Sequence, residues 1–158
     1  MTPNLILLEV RLRKELMNLE KLVEELKTIT RMRELKVDSV RLRACASILH
    51  DFYSGIEKMF INIARETDRT VPLGEGWHRE LLEQMTLDIP AIRPAVFGPE
   101  LTAQLQQYLS FRHRFRNLYG YELEWGKMEE LINNMDSTLK RLKDSMESLL
   151  EVLAEIVE

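Results

Sequence analysis

The chain has 158 residues, 45% of them hydrophobic and 30% charged, and a formal net charge of −4. That length and apolar share suit one domain with a real core and exclude a disordered chain. The acidic balance excludes a generally basic nucleic-acid-binding surface, so any contact with RNA or DNA must be local. Cys45 is the sole cysteine, which excludes an intrachain disulfide and a multi-cysteine metal site and suits a reducing compartment. Residues 5–8 form an apolar run closed by Glu9, too short for a signal peptide, and no segment approaches the ~20 apolar residues of a membrane span. The expectation is a soluble, cytoplasmic protein.

Apolar residues recur at steps of three and four in three long segments. The first carries Leu5, Leu8, Leu12, Leu16, Leu19, Leu22, Leu26 and Ile29. The second carries Leu42, Cys45, Leu49, Phe52, Ile56, Met59 and Ile63. Pro72, Gly74, Gly76, Pro90, Pro94, Gly98 and Pro99 then interrupt the pattern, although Trp77, Leu81 and Met85 predict a short helix over residues 75–85. Residues 68–99 therefore read as a helical insertion or lid. A weaker stripe of Leu101, Tyr108, Phe111, Phe115 and Leu118 follows, with Gly120 predicted to close its helix. The last stripe runs from Met128 through Met135, Leu142 and Leu149 to Ile156. No alternating pattern suggests a sheet, so the fold class is all-α: an up-and-down bundle of four long helices with a short insertion, one domain over residues 1–158. Helices near thirty residues are long for a monomeric bundle, and a homodimer sharing a helical face is expected.

Chemistry is densest between residues 111 and 123. Arg112, His113, Arg114, Arg116, Asn117, Tyr119 and Tyr121 crowd this stretch, and in a continuous helix Arg112, Arg116 and Tyr119 share one stripe. One reading makes the arginines ordinary charges at a helix C-terminus, where they meet the negative end of the dipole. The other makes Arg112, Arg114 and Arg116 a phosphate-binding patch, since the arginine fork suits phosphate geometry and the stripe borders packed aromatics.

The segment resembles the R-x(4)-H-x-Y signature of the HepT-like branch of the HEPN superfamily. Phe111-Arg112-His113, Tyr119-Gly120-Tyr121-Glu122-Leu123 and Trp77-His78-Arg79-Glu80-Leu81-Leu82 are similar to phrases of a HepT-like subgroup. The resemblance implies a toxin subunit of a toxin–antitoxin pair, a metal-independent ribonuclease that needs no cofactor and cleaves RNA at a dimer-interface cleft. It also implies a nucleotidyltransferase-type antitoxin that silences the toxin by attaching AMP to the motif tyrosine. Carried over, Arg112 takes the arginine position and Tyr119 the tyrosine position, while Asn117 stands where the family has histidine. An amide orients a phosphate but has no proton equilibrium for acid–base work. His113, one turn earlier, is the expected substitute, giving Arg112, His113, Asn117 and Tyr119 as the candidate catalytic set and Tyr119 as the modification site. The alternative is a non-catalytic helical module that binds a nucleotidyltransferase or RNA without cutting it.

Other polar residues invite less. His50 and His78 have no metal-ligand partner at helical spacing and read as structural or surface histidines, with His78 a minor candidate should the lid fold over Arg112. Cys45 occupies a seam position and reads as core. Asp51, Glu57 and Glu66 on the second helix are the acids that could meet the Arg112 stripe. No glycine-rich phosphate loop, Ser-His-Asp pattern or paired aspartates of nucleotidyltransferase type occur.

Overall fold

Thr2 and Asp38 decide where the first two helices begin. In the computed structural model, which describes residues 2–31 and 38–157, Thr2 Oγ1 accepts the Leu5 amide at 3.3 Å and Pro3 occupies the first helical position, opening α1 (Pro3–Thr30). Asp38 accepts the amides of Val40 and Arg41 at 2.9 and 3.3 Å and opens α2 (Ser39–Ile63). The short α3 (Trp77–Met85) lies within the expected insertion and starts two residues later than its periodicity predicted, after Gly76 at φ 74°. Pro99 opens α4 (Pro99–Phe115), and α5 (Trp125–Val157) closes the chain. Four long helices and one short one form the expected all-α bundle, with no strand among the described residues.

The helices run up and down. Ion pairs Arg13–Glu147, Glu20–Lys143 and Lys27–Asp136 trace an antiparallel crossing of α1 and α5. Phe52 against Tyr108 and Phe60 against Phe97 do the same for α2 and the α4 region. These ion pairs are exposed and contribute little; the core is the leucine, isoleucine, methionine and aromatic seam, in which Leu8, Leu12, Leu19, Leu49, Phe52 and Phe60 are fully buried. Cys45 is among them, and burial pushes its thiol up to about 11. No described helix is long and apolar enough to cross a membrane.

The insertion is fastened by one buried ion pair. α2 runs into a π-helical turn, Ala64–Asp68, which ends at Arg69 in the left-handed region. That turn presents Asp68 to Arg93, whose Nε and Nη2 donate to both carboxylate oxygens at 2.7 Å. The remaining Arg93 donors reach the carbonyls of Leu87, Pro94 and Gln84, so the buried fork is fully satisfied. Burial alone would raise the Asp68 carboxyl, but hydrogen bonds from Arg93, Gln84 and Thr67 outweigh it and hold it below the usual carboxylate range.

The end of α4 departs from expectation. The helix stops at Phe115 with Arg116 as its cap, and the amides of Asn117 and Leu118 bond back to Arg114 and Phe115 three residues earlier. Asn117 Nδ2 also folds onto the His113 carbonyl at 3.1 Å. A short polar side chain competing for the last carbonyls and a tightened final turn end the helix before the glycine. Gly120 instead opens a 3₁₀ turn, Gly120–Glu122, where an added Cβ would run into the Arg43 guanidinium. Tyr119 is in extended backbone, φ −75° and ψ 148°, so the Arg112–Arg116–Tyr119 stripe breaks after Arg116.

Candidate functional site

Arg112 is held between three helices rather than projecting from α4 alone; its side chain is 15% exposed. Nε donates to Ser54 Oγ on α2 at 3.3 Å. Nη1 stands 3.6 Å from Glu57 Oε1, also on α2. The same nitrogen is 3.1 Å from Nδ1 and 3.4 Å from Nε2 of His78, the second residue of α3. Near-equal distances to both ring nitrogens put the guanidinium nitrogen over the imidazole face, not on either lone pair.

Glu57 ties the cluster together. Its Oε2 lies 2.6 Å from His78 Nδ1, and its side chain is only 4% exposed. A carboxylate buried this deeply needs compensation, and here each oxygen faces one partner: Oε1 the guanidinium, Oε2 the imidazole. The Trp77 indole stacks on the His78 ring with centroids 3.7 Å apart and further restricts its rotation. The nearby Tyr53 phenol is pushed up by burial and by Glu57, with Arg112 opposing; its buried hydroxyl has no hydrogen-bond partner among the described residues.

Outward from this cluster a groove of about 1110 Å³ opens along α3, α4 and the start of α5. His78, Arg79, Arg112, His113, Arg114, Arg116 and Lys127 line it, with Glu130 as a lining carboxylate. An acidic protein thus places five of its 22 lysines and arginines along one concavity, an arrangement suited to an extended anion.

The structure therefore brings together Arg112, His113, Arg114 and Arg116 of the sequence-derived set. It does not bring in Asn117 and Tyr119, which lie beyond the helix end and do not line the groove. Asn117 is exposed and bonded to its own backbone. Tyr119 is 68% exposed and stacks on Tyr121 with centroids 5.4 Å apart. Of the three acids expected on the second helix, only Glu57 meets Arg112; Asp51 is exposed beside His50, and Glu66, which falls in the π-helical turn after α2, pairs with Arg11. His78, read as a structural or surface histidine and a minor candidate should the lid fold over Arg112, meets that condition, since it contacts both Glu57 and Arg112. Ser54, Arg79 and Lys127 carried no signal of their own, whereas Glu57 did carry one: it interrupts the apolar run of Leu49, Tyr53 and Phe60 on a face with no room for an unpaired charge.

No curated protein and no solved structure matches the chain. The family described as HepT-like protein matches residues 44–153, a span that holds Ser54, Glu57, His78, Arg112 and the whole groove. With more than half of its length inside that match, in an all-α bundle, the chain belongs to the HepT-like family.

Proposed function

We propose that this protein is the ribonuclease toxin subunit of a toxin–antitoxin pair, cutting single-stranded RNA in the groove headed by Arg112. The observation that carries the reading is the convergence of Arg112, Arg114, Arg116, Arg79 and Lys127 on one concavity of a protein with net charge −4. Family membership supports the toxin–antitoxin setting.

Arg112 is the phosphate clamp. Ser54 and Glu57 fix its guanidinium from behind, so its charge is already aimed when the scissile phosphate becomes a five-coordinate dianion. Arg114 and Arg116 hold flanking phosphates along the groove, and His113 offers an exposed imidazole for proton transfer. Asn117 supplies no proton and orients the helix end. Tyr119 presents its phenol to solvent on a turn outside the groove, where a nucleotidyltransferase partner can attach AMP; a bulky anion there competes with RNA for the nearby arginines. The subunit works as a homodimer.

The test is cleavage of single-stranded RNA by the purified protein in the absence of added metal, beside Arg112→Ala and Asn117→His. The native protein is expected to cut, and Arg112→Ala to lose on the order of 10²–10³ in turnover, as for removal of one fixed transition-state donor. If the native protein does not cut RNA, the reading is wrong; cleavage by Asn117→His alone would then mark a chain that keeps the cleft but not the catalysis. Tyr119→Phe should keep cleavage and lose AMP acceptance from the partner enzyme.

A further inference from the structure

The motif position that would carry a proton, residue 117, holds an amide, and its side chain is turned onto its own helix. A different histidine has the arrangement the chemistry needs. We propose that His78, oriented by Glu57, is the general base of the RNA cleavage at the Arg112 groove; this rests on the ribonuclease reading above.

Geometry assigns the roles. Glu57 is 4% exposed and its Oε2 stands 2.6 Å from His78 Nδ1, so an ionised Glu57 accepts the Nδ1 proton and fixes the neutral tautomer. The lone pair is then left on Nε2. A buried carboxylate that selects the tautomer and orientation of a histidine is the logic of hydrolytic triads. His78 lines the groove and is 22% exposed, so a bound strand can reach it, while Trp77 stacked at 3.7 Å keeps the ring from turning. Arg112 Nη1 lies over the same ring, which puts the phosphate clamp and the base within one residue's reach of each other. Glu57 does not touch the substrate in this scheme and is a positioning residue.

The step balances without a co-reactant. Nε2 of His78 takes the proton from the ribose 2′-hydroxyl, and O2′ forms a bond to phosphorus. The P–O5′ bond breaks, and the leaving 5′-oxygen takes a proton from His113 or from water. The products are a 2′,3′-cyclic phosphate and a 5′-hydroxyl, and the proton on His78 returns to solvent. Because O2′ is the nucleophile, DNA of the same sequence is bound but not cut.

Three RNA assays decide the matter, using a labelled single-stranded oligonucleotide. His78→Gln, which still reaches Glu57 but transfers no proton, is expected to lower turnover about 100-fold or more with RNA affinity within about twofold of native. His78→Ala should regain activity when free imidazole is added, which a structural role for the ring would not produce. Glu57→Gln should lower turnover and leave KM nearly unchanged. Nitrogen-15 NMR of the native protein adds a readout that no folding defect can confuse: the His78 signals should show a protonated Nδ1 and an unprotonated Nε2. The proposal is overturned if His78→Gln cuts within a few-fold of native while Arg112→Ala is dead, which leaves the ribonuclease reading standing. A proton found on Nε2 overturns it equally. If the native protein fails to cut RNA at all, both fall together.

Discussion

Tyr53 and Glu57 are one helical turn apart on α2, both are buried, and they behave in opposite ways. The Tyr53 hydroxyl finds no hydrogen-bond partner among the described residues, so its burial costs free energy that no protein group offsets there. We expect Tyr53→Phe to leave stability unchanged or to raise it by about 1 kcal/mol, measured by denaturant unfolding. Glu57 by contrast is fully engaged. Removing its cation with Arg112→Ala leaves a buried carboxylate facing only His78, and should cost on the order of 3 kcal/mol. Glu57→Gln together with Arg112→Met should recover much of that loss; strict additivity of the two single changes in a double-mutant cycle would show that the pair is not coupled. Glu57 interrupts the apolar series of Leu49, Tyr53 and Phe60, but in the sequence Asp51, Glu57 and Glu66 rank equally, and nothing there reveals which faces the arginine. That depends on the rotation of α2 against α4, which their separate sequences do not encode.

α1 and α2 pack closely at Gly55. A Cβ at Gly55 would fall 2.7 Å from Leu19 Cδ2, a fully buried side chain that must shift to make room. Gly55→Ala gains about 1 kcal/mol of helix propensity but overpacks the crossing by about 1–3 kcal/mol, so we expect a net loss near 1 kcal/mol. Gly126, in the first turn of α5 with nothing near its Cβ position, is the contrasting case: Gly126→Ala should gain about 0.5 kcal/mol in the same unfolding assay. The insertion depends on Asp68 and Arg93. Because the folded Asp68 pKa lies below its unfolded value near 4, its contribution is complete above about pH 5 and is lost as pH falls through the folded value. Unfolding measured from pH 7 down to pH 2 should therefore show a stability decline that is shallower in Asp68→Asn, which is already weaker at neutral pH. The insertion was legible as punctuation by proline and glycine, and its helix as Trp77, Leu81 and Met85. Its docking was not, because a side-chain ion pair between residues 25 apart leaves no periodic trace.

Across the whole molecule, charge distribution matters more than net charge. The groove collects Arg79, Arg112, Arg114, Arg116 and Lys127 against Glu130, while the other acids of α1 and α5 do not line it, several being paired with lysine or arginine. Binding of single-stranded RNA should weaken with salt, and Arg114→Gln with Arg116→Gln should reduce the log–log salt slope by about 1.4, at ~0.7 for each phosphate no longer neutralised. Since both arginines are exposed, thermal stability should not change; a slope that stays the same would place the RNA elsewhere. In sedimentation, the proposed dimer would run at twice the 18.6 kDa chain mass.

Local patterns determined the helices, because a repeat of three and four fixes which face of each segment must leave water, and Thr2, Asp38 and Pro99 mark where segments begin. They also showed that the cations of residues 112–116 are the densest polar cluster in the sequence. The tertiary structure alone decided what stands beside them. Residue 117 looked like the partner of Arg112 because one motif holds both, yet the helix ends between them. His78 and Glu57, 34 and 55 residues away in sequence, occupy that place because α2, α3 and α4 pack around one buried charge that had to be paired.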